Sequence, residues 1–474
     1  VVVGTGAGGA VVGRELAERG YAVAFVEEGA LHRRDSFDGS SVRAHQRFYR
    51  SAVALGNAPM PVFMGRLVGG STAINGATCF RTPPRVLDRW CDELGSDDFA
   101  PSRMAPWFEQ VERFLEIGPT DERYLGPVGD VFRRGCKALG WSYQRIQRNA
   151  PGCQASGFCD FGCRTDARRS TNVSYIPAAL SRAAVLYTGV RAERVRVENG
   201  RATGLDAVTR EGQRVRFQAQ AVVLAGGAVP TPLLLQRQGI CNESGQVGRN
   251  LTLHPSGGMT GLFDEPIRGA EHVPQGYAVD HFLREGVLFL GALSPKNLTA
   301  VTTPLAGRRL MDYVAQADHL VTLGTLTADD ARGTVRAEHD GHCVVTYSLT
   351  ARDVTLAHLA LVKSAEMLLA AGARRLYPSV VTHPIVERDA FHHFARAKLS
   401  PADIPLASWH PLGTCRMGRD PARSVVDLDH QTHGVRRLFV VDGSTVSGPL
   451  GVNPQLTIMA LATRAASRIA DVLG

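Results

Sequence analysis

The chain predicts an α/β fold built around a nucleotide-binding strand–helix–strand unit, and three features at its start predict it. Val1-Val2-Val3 is a β-branched run that enters the turn Gly4-Thr5-Gly6-Ala7-Gly8-Gly9. Ala10 to Arg19 follows with apolar residues at helical spacing. Tyr21 to Val26 then reads as a second buried strand, ending at Glu27. A strand, a glycine turn, a helix and another strand within about thirty residues are the setting a dinucleotide fingerprint requires.

Each residue type in that turn has a physical use. Gly4 makes the turn, Gly6 lets backbone approach a pyrophosphate, and Gly9 permits close packing of helix on strand. The phosphates then meet unpaired amide hydrogens and the positive end of the helix dipole. Glu27 is placed to accept hydrogen bonds from a pair of ribose hydroxyls.

Beyond this unit, residues 59–84 are rich in glycine, proline and small polar types and read as loop, and helical patterns dominate from Arg85 to Leu139. Segments between Ala184 and Phe217, turning at Glu198-Asn199-Gly200-Arg201, read as antiparallel strands. Ala221 to Ala225 is another buried strand, running into Gly226-Gly227. Gly257 to Ser348 mixes short strand patterns with loops. Thr355 to Ala371 is an amphipathic helix, and Pro454, suited to a first helical turn, opens the last helix, which runs to Leu473. No internal repeat or low-complexity segment is present.

With 474 residues, 44% of them apolar, the chain can bury a large core and has the length of two or three domains. No apolar run approaches the roughly 18 residues of a membrane helix, so no membrane span is expected. The formal charge of +8 comes mostly from arginine: Lys137, Lys296, Lys363 and Lys398 are the only lysines among 53 basic residues. The arginines are scattered and aromatics make up only 7%, which argues against a nucleic-acid groove and for a mildly basic solvated surface. Nine cysteines, an odd number in a large chain, argue against a full disulfide framework, and a cytoplasmic location is the expectation.

Two further blocks carry the chemistry. One is His410-Pro411-Leu412-Gly413-Thr414-Cys415-Arg416-Met417-Gly418; the other runs from Val441-Asp442-Gly443-Ser444 to Gly451-Val452-Asn453-Pro454. A histidine can take a proton near neutral pH, and an amide can hold the oxygen that loses it. Elsewhere no pair of histidines stands with a carboxylate at metal-ligand spacing, so no metal ligands are assigned. No serine occupies a Gly-x-Ser-x-Gly elbow, and hydrolase chemistry has no anchor. His254, His392 and His393 read as satisfied loop or surface residues, with His254 a candidate for the substrate side.

Taken together, these blocks resemble the glucose–methanol–choline (GMC) oxidoreductases. Gly65-Arg66-Leu67-Val68-Gly69-Gly70-Ser71-Thr72-Ala73-Ile74-Asn75-Gly76 resembles the family's first signature. Gly226 to Ile240 resembles the second more loosely, with Arg237-Gln238-Gly239 in place of the usual Ser-Gly pair. Val247-Gly248-Arg249-Asn250-Leu251 through His254, and the two C-terminal blocks, complete the set. The resemblance covers residues 1–265 and 405–474.

It implies FAD as cofactor and a GMC-type fold: a Rossmann-like FAD-binding domain with an interleaved α+β substrate domain carrying an antiparallel sheet. The expected division assigns 1–85, 170–260 and 425–474 to the first and 86–169 and 261–424 to the second. Gly70, Ser71, Thr72, Asn75 and Gly76 would lie nearest the flavin and pyrophosphate. Ala192 would meet the adenine through its backbone, and Asp442-Gly443 would reach the ribityl chain and pyrophosphate. His410 would accept the substrate hydroxyl proton as hydride leaves for the flavin. Asn453 occupies a position that is histidine or asparagine in relatives and would donate a hydrogen bond to the developing alkoxide.

Cys153, Cys159 and Cys163 share one glycine-rich loop. Their spacing resembles both a three-iron cluster loop in membrane-linked sugar dehydrogenases and a loop in relatives resembling long-chain alcohol oxidases. Arg164 stands where a cluster site usually has proline, so a compact structural loop of buried thiols, with at most one disulfide, is the plainer expectation.

The expected function is FAD-dependent oxidation of a primary or secondary alcohol to an aldehyde or ketone, with O2 or an external acceptor taking the electrons. A non-redox flavoprotein lyase and a non-catalytic nucleotide-binding module are the alternatives. Specificity would come from Leu262 to Ser408, which leaves sugars, amino-sugar antibiotics, aryl alcohols and steroids open.

Overall fold

The computed structural model describes residues 1–267, 272–292, 303–338 and 342–474. Its organising layer is a sheet of five parallel strands in the order Leu438–Val440, Val222–Leu224, Val2–Val3, Ala24–Glu27 and Val185–Thr188. Val2 stands between Val223 and Phe25. The central strands are buried on both faces, which is why they read as unbroken apolar runs rather than alternating ones. On one face the fingerprint helix, Gly9–Glu18, packs against the closing helix Gln455–Leu473 and the short helix Tyr175–Leu180.

Beside this sheet, Val190–Glu198, Arg201–Thr209 and Arg214–Gln218 form an antiparallel meander. Its first turn is Asn199-Gly200, both at positive φ (51° and 70°), the conformation a two-residue hairpin turn needs. The expected helical stretch resolves into Pro84–Leu94, Pro101–Leu115 and Gly126–Leu139.

A seven-stranded sheet forms the second layer, ordered Val386–Glu387, Arg375–Pro378, Gly258–Leu262, Leu320–Thr327, Val287–Ala292, Tyr277–Val279 and Gln144–Arg145. All its pairs are antiparallel. Helix Ala351–Ala370 covers it and packs in turn on Gly126–Leu139. That helix starts four residues before the expected Thr355, because Thr350 and Asp353 form a reciprocal cap. Thr350 Oγ1 accepts from Asp353 N (3.1 Å), and an Asp353 carboxylate oxygen accepts from Thr350 N (2.9 Å). Several short strands lie within Gly257–Ser348, where residues 268–271, 293–302 and 339–341 are outside the described ones.

One expectation fails. Within the stretch read as loop, Met60–Gly65 is a strand paired antiparallel with Tyr49–Leu55. Met60, Val62 and Met64 point into the core while Pro61 faces outward. The period of two is there in the sequence, but Pro61 argues against a strand except at a sheet edge, and this strand is at the edge of its four-stranded sheet.

The first and last parts of the chain meet without a side chain between them. A β-carbon on Gly8 would overlap the Val441 carbonyl and stand 3.1 Å from the Asp442 Cα. Gly8→Ala is therefore expected to lower the stability of the cofactor-free protein by about 1–3 kcal/mol, the usual cost of overpacking, seen as a lower thermal midpoint. An unchanged midpoint would mean that the two segments do not pack this way.

Candidate functional site

His410 is carried by a segment clipped on both sides. Before it, Ser408 N donates to Pro61 O and Phe63 N to Ser408 O, both at 2.9 Å, tying residue 408 to the Met60–Gly65 strand. After it, Leu412 and Thr252 exchange backbone hydrogen bonds of 3.0 and 3.1 Å. Ser408 Oγ also receives the His410 amide at 3.2 Å. The backbone on either side of His410 is thus pinned, to the Met60–Gly65 strand before it and to Thr252 after it.

Asn453 stands just before the closing helix, and its Nδ2 donates to His410 Nε2 at 3.3 Å. An amide donor on Nε2 requires that nitrogen to be unprotonated. Burial of the ring lowers the His410 pKa to about 4, because an imidazolium there loses its hydration. The histidine is therefore a neutral acceptor at pH 7.

At the head of the same helix, two buried polar atoms lack partners among the described residues: Asn453 Oδ1 and Gln455 Nε2. Native proteins leave few such groups, and a cluster of them marks a place meant for a polar ligand. No side chain caps this helix start, and the positive end of a helix dipole favours negative charge.

The glycine loops approach each other closely. Gly4 turns at φ 95°, and a β-carbon there would overlap the Ala225 carbonyl. Gly6, in contrast, faces open space: a β-carbon would meet only the Gly70 Cα, at 3.9 Å. The variable position between them is the hub. Thr5 Oγ1 donates to Glu27 (2.7 Å) and accepts from Gly69 N (3.0 Å), while Thr5 O accepts from Thr171 Oγ1 (2.8 Å).

Glu27 braces this turn. Its carboxylate accepts from Thr5 N (3.1 Å), Thr5 Oγ1 and Gly29 N (2.8 Å), and dehydration pushes its pKa up. Beyond it, at the same edge of the parallel sheet, lies an open cleft of about 760 Å³ lined by Glu28, His32, Arg47, Gly189, Arg191 and Arg210. Ala192 is next along the strand from Arg191 and is half-buried.

The Gly65–Gly76 loop is held by a few hydrogen bonds of its own and by others to the rest of the chain. Ser71 Oγ accepts from Gly65 N (3.0 Å), and Thr72 Oγ1 donates to Gly69 O (2.7 Å). Asn75 Nδ2 donates to Gln455 Oε1 (2.5 Å), which ties the loop to the closing helix. Asp442 accepts from Gly227 N (2.8 Å), Thr231 Oγ1 (2.6 Å) and Ser444 N (2.8 Å), so it locks two strand ends together. Gly443 packs against Leu412 and the Pro411 carbonyl, beside the His410 block.

His410, Asn453, Asp442, Gly443 and Asn75 thus converge on one region, joined to Gly4, Gly6 and Gly70 through the loop contacts. Ala192 and Glu27 lie at the far, cleft end. Sequence reasoning missed Thr5, Gln455 and two buried arginines. Arg168 donates to the carbonyls of Ala73, Asn75 and Cys159, the last at 2.6 Å, and Arg148 donates to Gly76 O at 3.3 Å. Gln455, two residues after Asn453 and next to that block, was within reach of a sequence reading. Nothing in the sequence separates Arg148 and Arg168 from the many solvated arginines.

All nine cysteines are free thiols. In the Cys153–Cys163 loop, the Cys159 thiol receives Arg148 Nη2 at 3.2 Å, and Arg168 N reaches Cys163 Sγ at 3.4 Å. Burial pushes the Cys159 pKa up. Cys163 is pulled the other way: burial opposes ionisation, but hydrogen bonds from Thr165 and the Arg168 amide outweigh it. Among the described residues, no group of three or more His, Cys, Asp or Glu side chains is arranged to hold a metal ion, and no helix is long and apolar enough to cross a membrane.

Two family models described as GMC oxidoreductase match the chain, an N-terminal one over residues 1–256 and a C-terminal one over 329–462. An uncharacterised GMC-type oxidoreductase of Mycobacterium tuberculosis is 34% identical over 100% of this chain and 76% of its own length. A long-chain-alcohol oxidase of Arabidopsis thaliana is 28% identical, covering 99% of this chain and 67% of itself. Among solved structures, pyridoxine 4-oxidase from Mesorbium loti superposes with a TM-score of 0.77 at 19% identity over 98% of both chains. A formate oxidase of Aspergillus oryzae, studied for modification of its FAD, gives 0.73 at 16% identity over 99% of this chain and 98% of its own. These two likenesses show the fold.

Proposed function

The chain belongs to the GMC oxidoreductase family, and we propose that within it the protein is an FAD-dependent enzyme oxidising a primary or secondary alcohol to an aldehyde or ketone. The observation that carries this reading is the His410–Asn453 pair. Two nitrogens 3.3 Å apart can both reach a single oxygen at an ordinary hydrogen-bond distance of about 2.9 Å. An alcohol hydroxyl placed there donates to His410 Nε2 and accepts from Asn453 Nδ2. As the carbon is oxidised, the hydroxyl proton passes to Nε2 and the amide stabilises the oxygen while it carries charge. Asparagine cannot shuttle a proton, so the acid–base work falls to His410.

The residues present fit FAD: an open face at Gly6, unpartnered polar atoms at the helix head, and an open cleft at the far edge of the sheet. When bound, the cofactor supplies the two-electron acceptor for the alcohol carbon. Gly4, Gly6 and Gly9 with the helix start would hold its pyrophosphate, and Glu27 and Ala192 its adenosine end. Gly70, Ser71, Thr72, Asn75, Gly76, Asp442, Gly443 and Asn453 would border the remainder. We assign residues 1–85, 170–260 and 425–474 to the FAD-binding domain and 86–169 and 261–424 to the substrate domain. All five parallel strands fall in the first. O2 or an external acceptor would reoxidise the cofactor.

Anaerobic bleaching of the flavin by a panel of alcohols tests the reading, and a protein that no alcohol bleaches would point to the lyase or the non-catalytic module. His410→Ala should keep its flavin yet slow that bleaching about 10²- to 10⁴-fold. Asn453→Ala should slow it about 10²- to 10³-fold with the colour retained. Full activity in either variant removes that residue from the mechanism.

Because burial holds the His410 pKa near 4, its neutral form persists through the neutral range and is lost only as pH falls through that value. The reduction rate should therefore stay level from about pH 8 to pH 5 and drop below it; a drop centred near the ordinary histidine value of about 6.5 contradicts this. Gly6→Leu should leave the thermal midpoint of the cofactor-free protein near that of the parent but abolish most of the flavin absorbance per chain. Retained colour would show that Gly6 does not border the cofactor.

A further inference from the structure

His254 is fully buried and lies at φ 49°, a region that side-chain-bearing residues seldom occupy. The conformation is enforced from behind. Asp329, also buried, accepts from Leu253 N (2.8 Å), His254 N (3.3 Å) and Tyr347 Oη (2.5 Å). Strained backbone that its surroundings hold in place is a common mark of a functional position.

The ring is used in one direction only. Its Nε2 accepts from two consecutive backbone amides, Leu450 N at 2.8 Å and Gly451 N at 3.3 Å. Two N–H donors fix Nε2 as unprotonated, so the neutral ring carries its proton on Nδ1. Burial, reinforced by His410 nearby, holds its pKa well below the ordinary histidine value and keeps it neutral. The pinned amides lie two and three residues before Asn453. The same ring meets His410 edge-on, with centroids 5.6 Å apart. One side chain therefore touches His410 and the backbone that leads into Asn453.

We propose that His254 is a positioning residue: by accepting from Leu450 N and Gly451 N it fixes the turn that delivers the Asn453 amide to His410 Nε2. This rests on the alcohol oxidation proposed above and goes beyond it by assigning the reach of Asn453 to a third side chain. Leu450 N is a buried donor, so without an acceptor it would be left unsatisfied and the turn would relax toward another partner. Relaxation of even 1 Å would move the Asn453 amide off the oxygen it serves.

Two amide substitutions, alike in polarity but different in length, isolate this role. In His254→Gln, Oε1 can stand where Nε2 stands and accept from Leu450 N. In His254→Asn, the side-chain oxygen stops near the position of Nδ1 and cannot. Flavin content, substrate KM and the saturating rate of anaerobic flavin bleaching are measured in the holoenzyme and both variants. The glutamine variant should bleach at close to the parent rate. The asparagine variant should be about 10- to 100-fold slower at similar KM and flavin content.

An asparagine variant as fast as the parent overturns the proposal, as does a glutamine variant as slow as the asparagine one. Loss of flavin from both also counts against it, since His254 would then support the fold rather than the pair. Failure of the underlying reading shows separately: the parent holoenzyme itself would not be bleached by any alcohol.

Discussion

The structure depends on one close approach, that of the first glycine turn to the last strand, with no side chain between Gly8 and the Val441 carbonyl. Because backbone meets backbone there, the residues that follow each segment are brought within a few ångströms of one another. Gly6 faces Gly70, Asp442 holds Gly227 and Thr231, and Asn75 reaches Gln455. A parallel sheet makes this possible. Strands Val2–Val3, Val222–Leu224 and Leu438–Val440 lie side by side in one direction, so the loops that follow them open at one edge.

That edge is polar, and where its charged groups are buried the protein surrounds them with donors or acceptors, as at Asp442, Glu27 and Arg168. Asp442 and Glu27 each accept three hydrogen bonds, and Arg168 donates to three carbonyls. Each bond to a charged group is worth about 1.5–3 kcal/mol, whereas an unpartnered buried charge costs several. The frame is therefore stiff. His254 belongs to the same scheme, holding the turn before Asn453 through its Nε2. Beside His410, Asn453 Oδ1 and Gln455 Nε2 are buried groups that the described residues leave without partners.

Much of this was legible beforehand, for identifiable reasons. The opening strand–turn–helix–strand unit is local, and its signal lies in contiguous residues. Asn199-Gly200 announces a hairpin because few other residues accept positive φ twice in succession. The Met60–Gly65 strand was hidden, since Pro61 is acceptable only at a sheet edge and edge status is a property of the whole sheet. Thr5 fills a position that the glycine pattern leaves free, yet it bridges Glu27, Gly69 and Thr171. Arg148 and Arg168 look like any other arginine until the loops close over them.

By itself the sequence determined the α/β class, the glycine turn, the blocks holding His410 and Asn453, and through them the family. These follow from residue type and short-range spacing, which act before any distant contact forms. Only the tertiary structure decided that Asn453 meets His410 across 43 positions of chain, that Glu27 braces its own turn, and that His254 grips the Leu450–Gly451 backbone. Such pairings depend on which surfaces pack and which polar groups are thereby cut off from water, and that is a property of the closed molecule rather than of any segment.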